Sequence, residues 1–196
     1  LHSIGCEQSR PELNCTLTFE PHCEKNVVSE NGVQLCQTSV LVIVPSILIS
    51  DCSDLGVAHK ACLESSSRRT LIREQWQRMK KKFNSRANAQ LLFVFGGLDA
   101  LGRPISRKYL DIAESETVTY GDTMICYGVP DVDLHHEDPA FALVDPKIRQ
   151  QSSTTSKVLG AMQLAARSFD FRFLVRAGDD AYFNVLEFLS IAPRLP

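Results

Sequence analysis

The sequence predicts an α/β domain built on a mostly parallel sheet. Three observations lead there. Residues 40–44 (VLVIV) and 89–95 (AQLLFVF) are continuous apolar runs, the pattern of strands covered on both faces. Other stretches repeat apolar residues at helical spacing. Strand and helix patterns also alternate four times, which calls for crossovers rather than hairpins.

Taken in order, residues 1–37 are polar, rich in Cys, Glu and Asn, and without periodicity, so they read as a disulfide-stapled stem or cap. The main domain then covers 38–196. The strand at 40–44 ends at Pro45 and Ser46, and a loop runs from Cys52 to Cys62. Ser65, Ser66 and Ser67 offer N-caps for a helix carrying Ile72, Trp76, Met79 and Phe83 on one stripe. Basic residues fill its other positions. The strand at 89–95 closes at Gly96 and Gly97. A helix over 106–117 turns Tyr109, Ile112 and Ala113 inward, and a strand at 123–127 follows, with Cys126 as a buried free thiol. Residues 131–151 read as a loop. Ser152 to Ser156 then cap a helix whose stripe is Val158, Met162, Ala165 and Phe169.

The fourth strand leads into the feature that carries chemistry. In 169–184 (FDFRFLVRAGDDAYFN) an alternating run, with Phe171, Phe173 and Val175 on one face, breaks at Gly178 into Asp179 and Asp180. Asn184 is placed to cap the next helix. Acids at the end of such a strand sit at the sheet's carboxyl edge, where open α/β folds bind ligands. Hard oxygen ligands there suit a divalent cation holding a diphosphate. The plain alternative is a solvated Asp-Asp turn. A rival cluster, Asp131, Asp133, His135, His136, Glu137 and Asp138, lies between Pro130 and Pro139 and reads as a solvated loop. Gly96-Gly97 lacks the Gly-x-Gly-x-x-Gly fingerprint of a dinucleotide-binding turn.

Composition narrows the class. At 196 residues the chain is long enough for one well-buried domain, and a net charge of −2 leaves no electrostatic footprint for nucleic acid. The longest apolar run, 40–49, is too short to cross a bilayer and is broken by Pro45. Seven cysteines without a Cys-x-x-Cys pair favour disulfides over zinc. With the sequon Asn14-Cys15-Thr16 they point to a secretory lumen or the cell exterior. A start at Leu1 without a signal peptide, and a stop at Pro196 soon after the acidic turn, read as a fragment of something longer.

Four blocks, in order, resemble the β-1,3-galactosyltransferase-like glycosyltransferases, which include β-1,3-N-acetylglucosaminyltransferases and fringe. They are 68–76 (RRTLIREQW), 91–96 (LLFVFG), 116–122 (ETVTYGD), and TSK at 155–157 followed by 173–184 (FLVRAGDDAYFN). The resemblance implies a GT-A type, Rossmann-like sheet that binds a nucleotide sugar, with the C-terminal half missing here. It implies an inverting hexosyltransferase moving galactose or N-acetylglucosamine from a UDP-sugar to a glycan on a glycoprotein or glycolipid, in β-1,3 linkage, with Mn²⁺. It also implies a Golgi-lumenal type II membrane protein anchored outside this chain.

Residue by residue, Asp180 matches the metal position and Asp179 a support for the donor sugar. Arg69 and Arg73 would approach the nucleotide, Asp122 the uridine and Lys157 the phosphates. Each has a structural alternative: a solvated helix face, a plain turn aspartate, an exposed lysine. Catalysis also needs a carboxylate base for the acceptor hydroxyl, expected beyond Pro196. Gly178 departs from the family, which usually has a third acid there. That departure sustains a second expectation, a catalytically inactive lumenal interaction module that keeps the fold.

Overall fold

A computed structural model of the chain describes residues 14–17, 26–48, 60–82, 88–131, 153–181 and 184–191. Cys6, Cys23, Cys52, Phe83, Ser152, Tyr182, Phe183 and the acids and histidines of 133–138 lie outside them. The architecture is α/β, with a mixed sheet of six strands, mostly parallel. The strands are β1 (Asn14–Leu17), β2 (Asn26–Val28), β3 (Gln34–Pro45), β4 (Ala89–Leu98), β5 (Thr123–Pro130) and β6 (Phe169–Arg176). The helices are α1 (Lys60–Lys82), α2 (Arg107–Tyr120), α3 (Ser153–Ser168) and α4 (Val185–Ile191).

β3 pairs in parallel with β4 on one side and β6 on the other, and β4 pairs in parallel with β5. The parallel strands therefore run in the order β5-β4-β3-β6. The chain steps from β3 to β4 to β5 in one direction, then returns through α3 to lay β6 on the opposite side of β3. The antiparallel pairs come from the first segment, where β1 adds to β5 and β2 to the amino end of β3. Residues read as a disulfide-stapled stem or cap thus contribute β1 and β2, and β3 runs across the expected boundary at 37/38.

The β3 and β4 runs form the centre, as their unbroken apolarity requires. Residues 40–44 are each at most 1% exposed, and Leu92, Phe93, Val94 and Phe95 match them. Even-numbered Val40, Val42 and Val44 pack with Phe93, Phe95, Trp76 and Tyr109 under α1 and α2. Leu41, Ile43, Leu92 and Val94 pack with Ala161 and Ala165 of α3 on the other face. Burying each large side chain contributes about 1.5–3 kcal/mol.

Several local expectations are corrected. α1 begins at Lys60, so Ser65, Ser66 and Ser67 lie inside it and are not caps. Gly96 and Gly97 lie within β4. A β-carbon at Gly96 would collide with the backbone of Pro130 and Asp131, so glycine there lets the end of β5 close against β4. On α3 the buried residues are Ser153, Lys157, Gly160, Ala161 and Ala165, whereas Met162 is 44% exposed. The small residues let α3 approach the sheet, and the stripe is rotated away from Met162. Cys126 is not a free thiol. It is disulfide-bonded to Cys15, directly opposite on β1, and Cys36 is also disulfide-bonded. β6 is only half-buried beyond Phe169, and Phe171 packs with the α3-side cluster while Phe173 and Val175 pack on the other. Among the described residues no strand covers its outer side, so it is less buried than a central strand.

Candidate functional site at the carboxyl edge of the sheet

All four parallel strands end at one edge, and the order reverses between β3 and β6. Open α/β sheets bind ligands at the carboxyl edge beside such a switch point. The segment after β3, Ser46–Ile47–Leu48, and the turn after β6, Ala177–Gly178–Asp179–Asp180, flank that point. Ala177 N donates to Ile43 O at 3.0 Å, which extends the β6 pairing into the turn. Asn184 caps α4 as expected: its Oδ1 accepts from Glu187 N at 3.2 Å. The turn is thus anchored at both ends.

Asp179 is tied inward. Its Oδ2 accepts from Ser46 Oγ and Ser65 Oγ, each at 3.2 Å, and its Oδ1 lies 3.6 Å from an Arg68 guanidinium nitrogen. Asp180 is exposed, and its carboxylate folds back over Gly178. A β-carbon at Gly178 would sit 2.6 Å from Asp180 Oδ1. Beside the turn opens a cavity of about 390 Å³. Val44, Ile72, Trp76 and Leu91 form its apolar wall, and Arg68, Asp179 and Asp180 its polar rim.

Arg69 and Arg73 are buried, not on a solvated helix face. Arg69, 1% exposed, grips Glu116 through Nε at 3.1 Å and NH2 at 2.6 Å. Its NH1 donates to Ile47 O at 2.7 Å and to Ser65 Oγ at 3.2 Å. Arg73 makes two 2.7 Å bonds to Asp122 and one of 2.8 Å to Glu116. The guanidiniums stack on aromatic faces, Arg69 on Phe95 and Arg73 between Phe93 and Tyr120. Burial works against the Glu116 charge, but the two arginines outweigh it and hold its carboxyl below the ordinary range. Burial likewise opposes the Arg73 charge, and Asp122 with Glu116 overcomes it to raise the guanidinium. For Asp122 burial prevails, pushing the carboxyl up despite Arg73.

Lys157 is 2% exposed, not a solvated first-turn lysine. Its ammonium donates to Ser46 O at 2.7 Å, to Asp131 O, and to Asp131 Oδ1 at 3.0 Å. Asp131 is fully buried, against the solvated-loop reading. Its carboxylate also accepts from Leu48 N at 2.6 Å and Gly96 N at 2.8 Å. The Ser46–Leu48 segment is therefore clamped from both faces of the sheet, by Arg69 and Ser65 of α1 and by Lys157 and Asp131 on the α3 side.

The structure gathers Asp179, Asp180 and Arg69 at one edge and joins Lys157 to them through Ser46. Arg73 and Asp122 form a separate pair, linked to that edge through Glu116 and Arg69. Sequence reasoning missed Ser46, Ser65, Glu116 and Asp131. Glu116 opens the block that ends at Asp122, so its position was marked; Asp131 was masked by its polar surroundings. No group of three or more metal-ligating side chains occurs among the described residues. A cation at this turn would rest on its carboxylates and complete its shell with ligand oxygens and water, an arrangement suited to hard, phosphate-bound ions. Comparisons with protein-family models, with curated proteins and with solved structures found no match.

Proposed function

We propose that this chain carries the donor-binding site of an inverting, UDP-sugar-dependent hexosyltransferase with a GT-A type sheet. The observation that carries the proposal is the placing of Asp179 and Asp180 at the switch point between β3 and β6, at the rim of a cavity. The ordered resemblance of four sequence blocks supplies the reaction class.

In this reading the exposed Asp180 carboxylate holds Mn²⁺, and Asp179, fixed by two hydroxyls, faces the donor sugar. The bound ion supplies neutralisation of the diphosphate that leaves the anomeric carbon. The chain's own part is to bind and orient the donor. Arg68 adds positive charge at the rim, and the apolar wall of Val44, Ile72 and Trp76 excludes water from one side. Arg69 and Lys157 act from behind by clamping Ser46–Leu48, while Arg73 and Asp122 would meet a nucleotide only by giving up each other. The acceptor is a glycan hydroxyl taken in β-1,3 linkage. The oxidised Cys15–Cys126 pair supports a Golgi-type lumen.

Transfer of hexose from UDP-galactose or UDP-N-acetylglucosamine to a panel of glycan acceptors, followed by mass spectrometry with and without Mn²⁺, tests the reading on the full-length protein. Mn²⁺-dependent transfer supports it. Gly178, which leaves the turn one acid short of the family pattern, favours the second reading of a catalytically inactive lumenal module. That reading predicts no transfer from either donor.

A further inference from the structure

We infer that Ser46 and Ser65 are positioning residues for Asp179, and that Arg69 sets the direction of their hydrogen bonds. The inference rests on the donor-site reading above and deepens it. It starts from three oxygens in mutual contact: Ser46 Oγ and Ser65 Oγ are 2.9 Å apart, and each is 3.2 Å from Asp179 Oδ2.

A hydroxyl has one proton to give and two lone pairs to accept with. Both lone pairs of Ser65 Oγ are taken, by Arg69 NH1 at 3.2 Å and by Ile47 N at 3.2 Å. Arg69 NH1 also reaches Ser46 Oγ at 3.4 Å. Neither donor can reverse, because a guanidinium and an amide N–H only donate. With no lone pair left on Ser65 for its neighbour, both hydroxyl protons are directed away from Arg69 and onto Asp179 Oδ2. Glu116 fixes the far side of Arg69 with two bonds, so the guanidinium cannot turn away.

The result is a chain from Glu116 through Arg69 and the two serines to Asp179, joining α2, α1, β3 and the β6 turn. It holds one carboxylate oxygen in place and leaves the other toward the rim. Asp180, which lies outside the chain of bonds, remains free to take the metal. The sugar-facing and metal-facing acids of the turn are thereby distinguished: one is fixed by the fold, the other is set by its ligand. A Ser→Ala change at 65 removes the proton aimed at Asp179 while leaving Asp180 untouched.

The test is isothermal titration of the folded protein with UDP, UDP-galactose and UDP-N-acetylglucosamine, each with Mn²⁺. Wild type, Ser65→Ala, Ser65→Thr, Ser46→Ala, Asp179→Asn and the Ser65→Ala/Asp179→Asn double variant are compared. Ser65→Ala is expected to weaken the bound UDP-sugar about 10-fold, the scale seen when a support behind a ligating group is lost. UDP itself should change less than about 2-fold, a split that general destabilisation would not produce. Ser65→Thr restores the hydroxyl and the affinity, Ser46→Ala gives a smaller loss, and Asp179→Asn makes Ser65→Ala silent. Equal UDP-sugar affinity in wild type and Ser65→Ala, or additive losses in the double variant, overturns the inference alone. If wild type binds none of the three, the donor-site reading falls and this inference with it.

Discussion

The ammonium of Lys157 stands 3.0 Å from the carboxylate of Asp131, with the two side chains 3% and 0% exposed. This pair ties α3 to the end of β5, and through Ser46 O and Leu48 N it holds the segment after β3. Replacing Lys157 by Met keeps the volume but takes an ammonium away from a buried carboxylate. Urea unfolding of Lys157→Met should show a loss of about 3 kcal/mol. A loss below about 1 kcal/mol would mean that Asp131 is held without Lys157.

Arg73 offers a fork and a flat face at once, with two bonds to Asp122 and aromatic rings on either side. A lysine retains the charge but neither geometry. Arg73→Lys is expected to cost about 2 kcal/mol by urea unfolding, as hydrogen bonds between charged groups are lost. A silent substitution would show that charge alone suffices there.

Acid sensitivity follows from Glu116. Its folded carboxyl titrates below the ordinary value of 4.5 because Arg69 and Arg73 outweigh burial. The stability it contributes is fully present above that value and is lost as pH falls through the lowered folded pKa. Asp122 runs the other way, since its folded pKa is raised: its contribution is present at low pH and lost as pH rises through that value. Glu116→Gln should therefore flatten the acid limb of stability against pH, measured by urea midpoints from about pH 3 to pH 6. An acid limb as steep as that of wild type would place the sensitivity elsewhere.

The Cys15–Cys126 bond closes a sequence separation of 111 residues and fastens β1 to β5. Cross-linking a loop of that length restricts the unfolded chain, and losing it typically costs about 2–4 kcal/mol. The Cys15→Ser/Cys126→Ala variant should unfold at correspondingly lower urea under oxidising conditions. Equal stability would indicate that β1 contributes little once β5 is paired with β4.

What was legible in the sequence was the apolar skeleton. The β3 and β4 runs, the inward Tyr109 and Ala113 of α2, and the acidic turn after β6 follow from patterns in which neighbouring residues decide the outcome. What was not legible depends on distant partners. Lys157 and Asp131 are 26 residues apart and each reads as solvated until the other neutralises it. Arg69 and Arg73 look like an exposed basic helix face because Glu116 and Asp122 lie more than 40 residues away. Ser46 and Ser65 carry no pattern of their own. They matter only because the reversal of strand order brings the β6 turn against the end of β3.

The central claim is that the turn after β6 holds a nucleotide diphosphate through a cation on Asp180. It is tested most directly by titrating UDP into the folded protein with Mn²⁺, with chelator instead, and again with Asp180→Ala. Saturable binding that needs Mn²⁺ and disappears in Asp180→Ala is the predicted result. Absence of binding, or binding indifferent to both Mn²⁺ and Asp180→Ala, would contradict it.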